Sequence, residues 1–360
     1  MSGSGNTYAR AGVDTGAAGA GIGALVAALE RIDPGRPRRS LLGPGHYASV
    51  LALDADTALA LCTDGVGTKL IVAEQAQRFD TVGIDCVAMN VNDLVCVGAE
   101  PIAMVDYIAV QQVDPTVLAA IGEGLRAGAE RAGIEIPGGE LAQLPEMLQG
   151  HPAPHGIDLV GAAVGVVPRS AVLTGEATAA GDVVIGLPSS GLHSNGFTLA
   201  RRALFEQGNQ SLGETPRELD RSLAEELLRP TEIYVRAALD LLRSGAEVHG
   251  LAHITGDGLL NLTRLNGAVG YRIDAPLSPP PVFSLIQRLG GVPDHEMWEV
   301  FNMGTGFCCV VARADGELAL DVLRRHHPAA GVIGEVTAEA GVVRLPGIGL
   351  TGDRNGFRPA

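Results

Sequence analysis

Residues 82–98 form an almost wholly apolar segment that nevertheless carries Asp85, Asn92 and Asp93. Apolar residues surround a helix drawn through the segment, which predicts a buried helix. Asp85 and Asn92, seven residues apart, share one helix face with Asp93 beside it. A carboxylate on a buried helix must be paired, hydrogen-bonded or bound to a cation. The segment therefore predicts a globular chain whose core contains a polar site suited to a metal and a phosphate.

A glycine-containing turn precedes this helix and follows an apolar strand predicted at 57–61. It reads Asp64-Gly65-Val66-Gly67-Thr68-Lys69 and lacks the glycine–lysine spacing of a Walker A loop. The glycines allow the backbone to approach a phosphate, and Lys69 adds a positive charge. Asp64 and Asp93 are the predicted magnesium ligands, because Mg2+ usually takes carboxylates together with phosphate oxygens. The alternative is a β-turn with a surface lysine.

A second loop suited to an anion reads Ser189-Ser190-Gly191-Leu192-His193-Ser194-Asn195-Gly196. It joins a strand predicted at 183–187 to a helix predicted at 197–206. Free N–H groups and the helix dipole at such a junction favour a bound phosphate. Capping of the helix by Ser194 or Asn195 is the alternative. The hydroxyls, glycines and histidine exceed what capping needs, so we predict substrate binding, with His193 as a candidate for proton transfer.

Three shorter motifs add candidate residues. The loop Gly43-Pro44-Gly45-His46-Tyr47 can cover a nucleotide or merely enter the first predicted strand. Gly138-Gly139-Glu140 follows a strand predicted at 134–136 and presents Glu140 after a turn. Asp257 stands between two glycines after a predicted strand, as a ligand, a general base or a turn residue.

The length and the pattern of elements indicate the fold class. The chain has 360 residues, 46% of them hydrophobic, which predicts two domains with a large core. A polar stretch after Pro168 suggests domains of residues 1–168 and 169–360. Both halves mix helices and strands, so the fold class is α/β or α+β. The longer predicted helices are 82–98, 114–132 and 230–242.

Charge and cysteine usage exclude several classes of function. The net charge of -15 and a pI near 5.0 argue against nonspecific nucleic-acid binding. Five cysteines without a CxxC pair favour a reduced, cytoplasmic chain. No apolar run reaches the roughly 18 residues of a membrane span, and residues 1–6 lack the features of a secretory signal. We therefore expect a cytoplasmic protein without membrane or nucleic-acid partners.

Taken in order, these motifs resemble the aminoimidazole ribonucleotide synthetase family, the phosphoribosylformylglycinamidine cyclo-ligases of purine biosynthesis. The similarity begins at Tyr8-x-x-Ala11-Gly12-Val13-Asp14 and covers nearly the whole chain. Each segment alone is weak, whereas the ordered set is specific. The further matching segments are 63–70, 83–101, 138–140, 189–196, 230–235, 253–258 and 295–306.

The resemblance implies the fold and the activity of that family. The implied fold is that of its ATP-binding superfamily: two α/β (α+β) domains, the N-terminal domains pairing across a homodimer and the C-terminal domain completing the active site. The implied reaction is the ATP-dependent cyclisation of formylglycinamidine ribonucleotide to aminoimidazole ribonucleotide, with ADP and phosphate released through an iminophosphate. ATP and Mg2+ are the implied cofactors.

The motifs and the resemblance together predict roles for particular residues. Those predicted to bind ATP or phosphate are Gly45, His46, Asp64, Gly65, Gly67, Thr68, Lys69, Asn92, Gly139 and Glu140. Those predicted to bind the second substrate are Ser189, Ser190, Gly191, His193, Ser194, Asn195 and Gly196. The predicted catalytic residues are His193, Lys69 and Asp257, and the predicted metal ligands are Asp64 and Asp93.

Several positions depart from the family's common motifs. Leu141 and Gln143 stand where the family often has Thr and Glu, and Asp257 replaces a glycine. The first loop is Gly-Pro-Gly-His-Tyr instead of a Gly-Phe-Gly type. These differences indicate a divergent branch. They leave two alternatives: a paralogue that activates another amide or phosphate, as a thiamine-monophosphate kinase does, and a catalytically inactive ATP-binding subunit.

Overall fold

The structure is a computed structural model that describes residue 12, residues 15–265 and residues 267–360. The motif from Tyr8 to Asp14 therefore lies outside the described residues, apart from Gly12. The described chain opens with helix α1 (Thr15–Leu29). Within the described residues, no helix combines the length and the hydropathy that crossing a membrane requires.

The first half of the chain contains a five-stranded mixed sheet. Its strands are β1 (Ser49–Ala52), β2 (Thr57–Gly65), β3 (Glu100–Val110), β4 (Glu135–Gln143) and β5 (Ile157–Pro168). They lie in the order β1-β2-β5-β3-β4. β3 and β4 run parallel, and the other neighbours are antiparallel. We refer to this sheet as the N-terminal sheet.

Helices cover one face of the N-terminal sheet. After the short α2 (Lys69–Ala76), α3 (Val82–Cys96) packs on β2 and β5, and α4 (Pro115–Ala132) packs on α3. Every residue of α3 except Asp93 is buried, which confirms the predicted buried helix. The two helices approach closely at Gly83, where a Cβ would lie 2.3 Å from the backbone nitrogen of Leu125.

The start of α4 confirms a local prediction. Asp114 precedes the helix, and its carboxylate accepts a hydrogen bond from the Thr116 N–H at 2.8 Å. Pro115 occupies the first helical position, where no N–H is needed. Gly133 ends the helix with a φ of 75°, a conformation that glycine adopts without strain.

The second half of the chain contains an eight-stranded sheet, which we call the C-terminal sheet. Its order is β13-β12-β11-β8-β10-β6-β9-β7, and only β8 and β11 pair in parallel. The strands are β6 (Val183–Pro188), β7 (Val248–His253), β8 (Gly270–Ile273), β9 (Thr305–Val311), β10 (Gly331–Thr337), β11 (Val343–Leu345), β12 (Leu350–Asp353) and β13 (Gly356–Pro359). The helices are α5 (Phe197–Arg201), α6 (Leu223–Leu227), α7 (Val235–Arg243), α8 (Pro281–Gly290), α9 (Asp294–Val300) and α10 (Gly316–Arg324).

Three local predictions differ from the structure. The expected turn at 138–140 is the middle of strand β4, because backbone pairing with β3 continues through it. The helix predicted at 230–242 begins at Val235, and residues 230–234 form no regular secondary structure. The helix predicted at 197–206 is α-helical only to Arg201 and continues as a π-helix, Arg202–Gln207.

Each half of the chain has its own sheet and its own helices, as the mixed pattern of predicted helices and strands indicates. The last strand of the N-terminal sheet ends at Pro168, and the first strand of the C-terminal sheet begins at Val183. The domain boundary between residues 168 and 169 stays a prediction. Buried side chains of both halves join in one apolar cluster, so the two halves pack against each other along an interface that we call the seam.

Candidate functional site

Two predicted metal ligands lie near each other at the edge of this seam. Asp64 is close to the end of β2, and Asp93 lies on α3. Burial raises the pKa of Asp64, and the negative charge of Asp93 raises it further. The Gly65 N–H donates to Asp64 Oδ1 at 2.7 Å and partly offsets that effect. Two carboxylates that repel each other in a partly buried place suit a divalent cation.

The number of ligands is also consistent with magnesium. Among the described residues, no group of three or more His, Cys, Asp or Glu side chains is placed to hold a metal. A zinc-type site would require such a group. Magnesium instead keeps waters and binds substrate phosphates, so one or two carboxylates are sufficient.

Asn90 fixes the backbone at Asp64 and was missed by the sequence analysis. The Asp64 N–H donates to Asn90 Oδ1 at 3.0 Å, and Asn90 Nδ2 donates to the Asp64 carbonyl at 3.1 Å. A Cβ at Gly161 would lie 2.6 Å from Asn90 Nδ2, so only glycine leaves room for this amide. The available signal was a fourth polar side chain in the apolar segment 82–98.

His253 was also missed, although its motif was singled out for Asp257. Its Nδ1 lies 2.9 Å from Asp93 Oδ1, and its ring is fully buried at the end of β7. A hydrogen-bonded partner of this kind commonly orients a metal-binding carboxylate. Asp93 is therefore held from the C-terminal sheet as well as by its own helix.

Asn92 bonds to the other half of the chain. Its Nδ2 donates to the Glu232 carbonyl at 2.8 Å, and its Oδ1 accepts from the Tyr234 N–H at 2.9 Å. The side chain is fully buried. Both ends of the Asn92 amide are thus bonded to the backbone of the segment before α7. The predicted nucleotide contact of Asn92 stays a prediction.

Lys69 is buried, not at the surface, which rules out the β-turn with a surface lysine. Its Nζ contacts the Asp85 carboxylate at 2.9 Å and donates to the carbonyls of His193 at 3.1 Å and Arg229 at 2.6 Å. Burial lowers the pKa of Lys69, and the charge of Asp85 opposes that shift. An ammonium group has three N–H donors, and each has a partner here. A phosphate contact by Lys69 would require one of these bonds to break.

The loop from Ser189 to Gly196 meets these groups from the second half of the chain. The Ser190 N–H donates to His193 Nε2 at 3.1 Å, so the neutral ring carries its proton on Nδ1. That Nδ1 is buried and has no hydrogen-bond partner among the described residues. Burial lowers the pKa of His193 well below its usual value, which favours the neutral ring. His193 is thus arranged as a hydrogen-bond donor.

Other polar atoms of this loop are either hydrogen-bonded or buried without a partner among the described residues. The Ser190 hydroxyl donates to the Pro230 carbonyl at 2.6 Å, and the Gly191 carbonyl accepts from Asn302 at 2.9 Å. Ser189 Oγ and Asn195 Oδ1 are buried without a partner in the described part of the chain. Gly196 has a φ of 73°, and a Cβ there would collide with Phe301 at 2.3 Å.

An open cleft of about 740 Å³ lies against the face of the N-terminal sheet that α3 does not cover. The loop with Gly45 and His46 forms one wall, and residues of β2, β3 and β5 form the floor. The neighbouring Tyr47 hydroxyl donates to the Asn261 carbonyl at 2.8 Å. The predicted nucleotide loop is therefore anchored to the second half of the chain.

Arg264 is a further basic group beside this loop. Its guanidinium carbon lies 5.4 Å from the centre of the Tyr47 ring, a cation–π geometry. Its Nη2 is 3.4 Å from Asp257 Oδ2. Asp257 has a φ of 75° and an exposed side chain, and no hydrogen bond joins it to His193 among the described residues. The role of Asp257 as a base stays a prediction.

The remaining candidates lie at the end of β2, in the turn after it, and on the edge strand β4. The Thr68 hydroxyl is 3.0 Å from that of Thr198, which joins the turn after β2 to α5. Gly65 and Gly67 flank Val66 in that turn. Glu140 is exposed on β4, and its carboxylate accepts from the Leu141 N–H at 3.0 Å. Gly139 is exposed, and a Cβ there would lie 2.5 Å from Asp106 Oδ1.

Comparison with known proteins identifies the fold and the family. The family profile "AIR synthase related protein, N-terminal domain" matches residues 45–167, and "AIR synthase related protein, C-terminal domain" matches residues 179–345. The solved structure of the hydrogenase maturation protein HypE in complex with ATP has a TM-score of 0.57 at 19% identity, covering 81% of this chain and 83% of that one. The fold is that of two-domain AIR synthase-like proteins.

Curated relatives narrow this class. The phosphoribosylformylglycinamidine cyclo-ligase of Methanothermobacter thermautotrophicus is 46% identical over 340 residues, covering 94% of this chain and 96% of the relative. The cyclo-ligase of Methanococcus vannielii is 44% identical over 332 residues and covers 92% of each chain. The chain belongs to the phosphoribosylformylglycinamidine cyclo-ligase family.

Proposed function

We propose that the chain catalyses the ATP-dependent cyclisation of formylglycinamidine ribonucleotide to aminoimidazole ribonucleotide in de novo purine biosynthesis, in the cytoplasm. The observation that carries this proposal is the 46% identity to a named cyclo-ligase over 94% of the chain. The buried polar groups that meet at the seam between the two halves support it. Leu141 and Gln143 lie on the edge strand β4, away from that seam's buried hydrogen bonds.

ATP binding is supported by two features. HypE, which has the same fold, was solved in complex with ATP. In this chain an open cleft lies beside the glycine loop at Gly45 and reaches Cys62 and Thr63, next to Asp64. We place the phosphates near Asp64 and Asp93. These residues would hold Mg2+, which neutralises charge on phosphoryl oxygens when bound.

The proposed reaction has two chemical steps. The formyl amide oxygen of the substrate attacks the γ-phosphorus of ATP, and the bond from that phosphorus to the ADP oxygen breaks. A nitrogen of the same molecule then attacks the activated carbon, closes the ring and expels phosphate, and its proton passes to solvent. The chain's main contribution to ring closure is to hold the reacting atoms together, where effective molarity is large.

His193 is our candidate catalytic residue. Its Nδ1–H is buried and unpartnered in the described residues, so a substrate oxygen can accept it without displacing another bond. The neutral ring donates this hydrogen bond while charge develops on the oxygen. Ser189 and Asn195 present further buried polar atoms on the same loop. We propose that these groups bind the ribonucleotide substrate.

We further propose that two copies pair through the open face of the N-terminal sheet. Leu61 on β2 and Val105 and Tyr107 on β3 are exposed there, with β5 between the two strands, although each of the three is large and apolar. An exposed apolar face of this kind marks an interaction surface. Leu61 and Val105 also line the cleft at Gly45, so pairing would place a second chain over that cleft.

The test is direct turnover. The chain is incubated with ATP, magnesium chloride and formylglycinamidine ribonucleotide, and mass spectrometry is used to detect aminoimidazole ribonucleotide with an equal amount of ADP. A reaction without the ribonucleotide is the control. In a parallel reaction, thiamine monophosphate replaces the ribonucleotide. ADP formed only in that reaction would show that the chain is the paralogous kinase. ATP binding without ADP in either reaction would identify an inactive ATP-binding subunit.

A further inference from the structure

The Lys69–Asp85 ion pair lies in the first half of the chain. Further hydrogen bonds of both side chains connect it to the second half at the candidate site. Both side chains have an exposure of 0% and lie 2.9 Å apart. The other two partners of Lys69 are the carbonyls of His193 and Arg229, which belong to the second half. Its ammonium is thereby directed at the substrate loop, with no donor left for a phosphate.

Asp85, the anionic member of the ion pair, also forms hydrogen bonds with the second half of the chain. Its Oδ1 accepts from the Thr231 N–H at 2.7 Å and from the Thr231 hydroxyl at 2.7 Å. The Ser194 hydroxyl is 3.3 Å from the same oxygen and 3.0 Å from the Thr231 hydroxyl. One buried ion pair therefore binds two separate segments of the second half, around residues 193–194 and 229–231.

Lys69 donates a hydrogen bond to the backbone carbonyl of His193, a residue whose own backbone conformation is unfavourable. His193 has a φ of 63°, in the left-handed region that a non-glycine residue rarely adopts. Its ring packs against Gly306, where a Cβ would come within 2.5 Å of Cε1. Because the ring has no free space on that side, the backbone at His193 determines where Nδ1 lies.

We propose that Lys69 and Asp85 are positioning residues, which hold the His193 loop so that Nδ1–H faces the substrate, and that Lys69 does not bind ATP. The proposal rests on the proposed function for its kinetic consequence. Its structural consequence, an ordered loop from 189 to 196, does not depend on turnover. The two can therefore be tested separately.

The first measurement is hydrogen exchange of the loop in Lys69→Met. We expect peptides covering residues 189–196 to exchange faster than in the unmodified chain. The matched control is Arg243→Gln, which removes an exposed ion pair, also between the two halves, with Glu100 at 2.6 Å. The loop should keep its protection in that variant. Unchanged exchange in Lys69→Met overturns the proposal even if the chain has no cyclo-ligase activity.

The second measurement separates positioning from phosphate binding. In Lys69→Met we expect the Kd for ATP to stay within about twofold and kcat to fall about 100-fold, as a misplaced catalytic group causes. Combining Lys69→Met with His193→Ala should give no further loss beyond His193→Ala alone. A Kd for ATP weakened about tenfold or more, or fully additive losses in kcat, contradicts the proposal.

A second variant, which leaves no unpaired charge in the core, keeps the proposal testable if Lys69→Met does not fold. Lys69→Met leaves the Asp85 carboxylate alone in the core, which can unfold the chain. The double variant Lys69→Met/Asp85→Asn removes both charges and keeps the amide–Thr231 contact possible. It should show the same faster loop exchange and the same unchanged Kd for ATP. Wild-type loop protection in this folded variant overturns the proposal.

Discussion

His253 Nδ1 lies 2.9 Å from Asp93 Oδ1. The bond runs from strand β7 of the C-terminal sheet to helix α3 on the N-terminal sheet. A carboxylate predicted to bind magnesium is thus oriented by the opposite half of the chain. Asn92 and Asp85 also have partners beyond residue 190, although Asp85 pairs with Lys69 in its own half as well. The site depends on how the halves are held together.

Removing the His253 ring should weaken the binding of magnesium that accompanies ATP binding. In His253→Leu, Asp93 loses its partner, and we expect the magnesium concentration for half-maximal ATP binding to rise about 10- to 100-fold. A magnesium titration of ATP binding measures this. His253→Asn, which can keep a donor near Nδ1, should recover part of the affinity.

The control for this histidine is His249→Gln on the same strand. His249 pairs with Asp182 at 2.7 Å and does not contact Asp93. Its loss should leave the magnesium titration unchanged. Equal magnesium dependence in His253→Leu and the unmodified chain would show that Asp93 needs no such partner.

Asp64→Asn should abolish ADP formation while preserving the fold. The amide lacks the charge that attracts magnesium, and burial already raises the pKa of this carboxyl. Removing a partly buried charge should therefore leave the free energy of unfolding equal or higher. ADP release and thermal denaturation followed by circular dichroism measure the two effects. The exposed Asp80→Asn is the control, and normal turnover in Asp64→Asn would remove the metal assignment.

The sequence was sufficient for elements with strong local signals. The apolar run of α3 and the Asp114–Pro115 start of α4 predict helices that the structure contains. It was not sufficient for the turn expected at Gly138. Glycine disfavours strands locally, but β4 is held by its parallel pairing with β3, a contact that local propensity does not encode.

The role of Lys69 could not be predicted for a related reason. Its carbonyl partners lie 124 and 160 residues further along the chain, and backbone carbonyls leave no trace in a sequence pattern. The late start of α7 has the same origin. Residues 231 and 234 donate backbone hydrogen bonds to Asp85 and Asn92, so tertiary bonds override the helical pattern predicted from 230.

Stability should fall as the pH drops below 6.5, with a contribution from His327. Burial lowers the pKa of His327 from 6.5 to about 4, and its ring packs 5.2 Å from that of Tyr234. Between these pH values the unfolded chain binds more protons than the folded chain. The stabilisation is complete above pH 6.5 and is lost as the pH falls towards 4.

His327→Gln should remove this part of the pH dependence. Its Tm should decline less than that of the unmodified chain over the same interval, because glutamine does not titrate there. Thermal denaturation at a series of pH values measures the difference. Parallel curves for the two proteins would mean that His327 titrates alike in the folded and unfolded states.

If two copies pair through the open face of the N-terminal sheet, a charged substitution on that face should separate them. The 37.0 kDa chain should sediment at twice its own mass, and Tyr107→Glu should sediment as a single chain. Tyr107 is 41% exposed, and a carboxylate there would be buried without a partner on pairing. Leu318→Glu on α10, at a residue that is 43% exposed, should stay paired. A single-chain mass for the unmodified protein, or pairing that survives Tyr107→Glu, contradicts this interface.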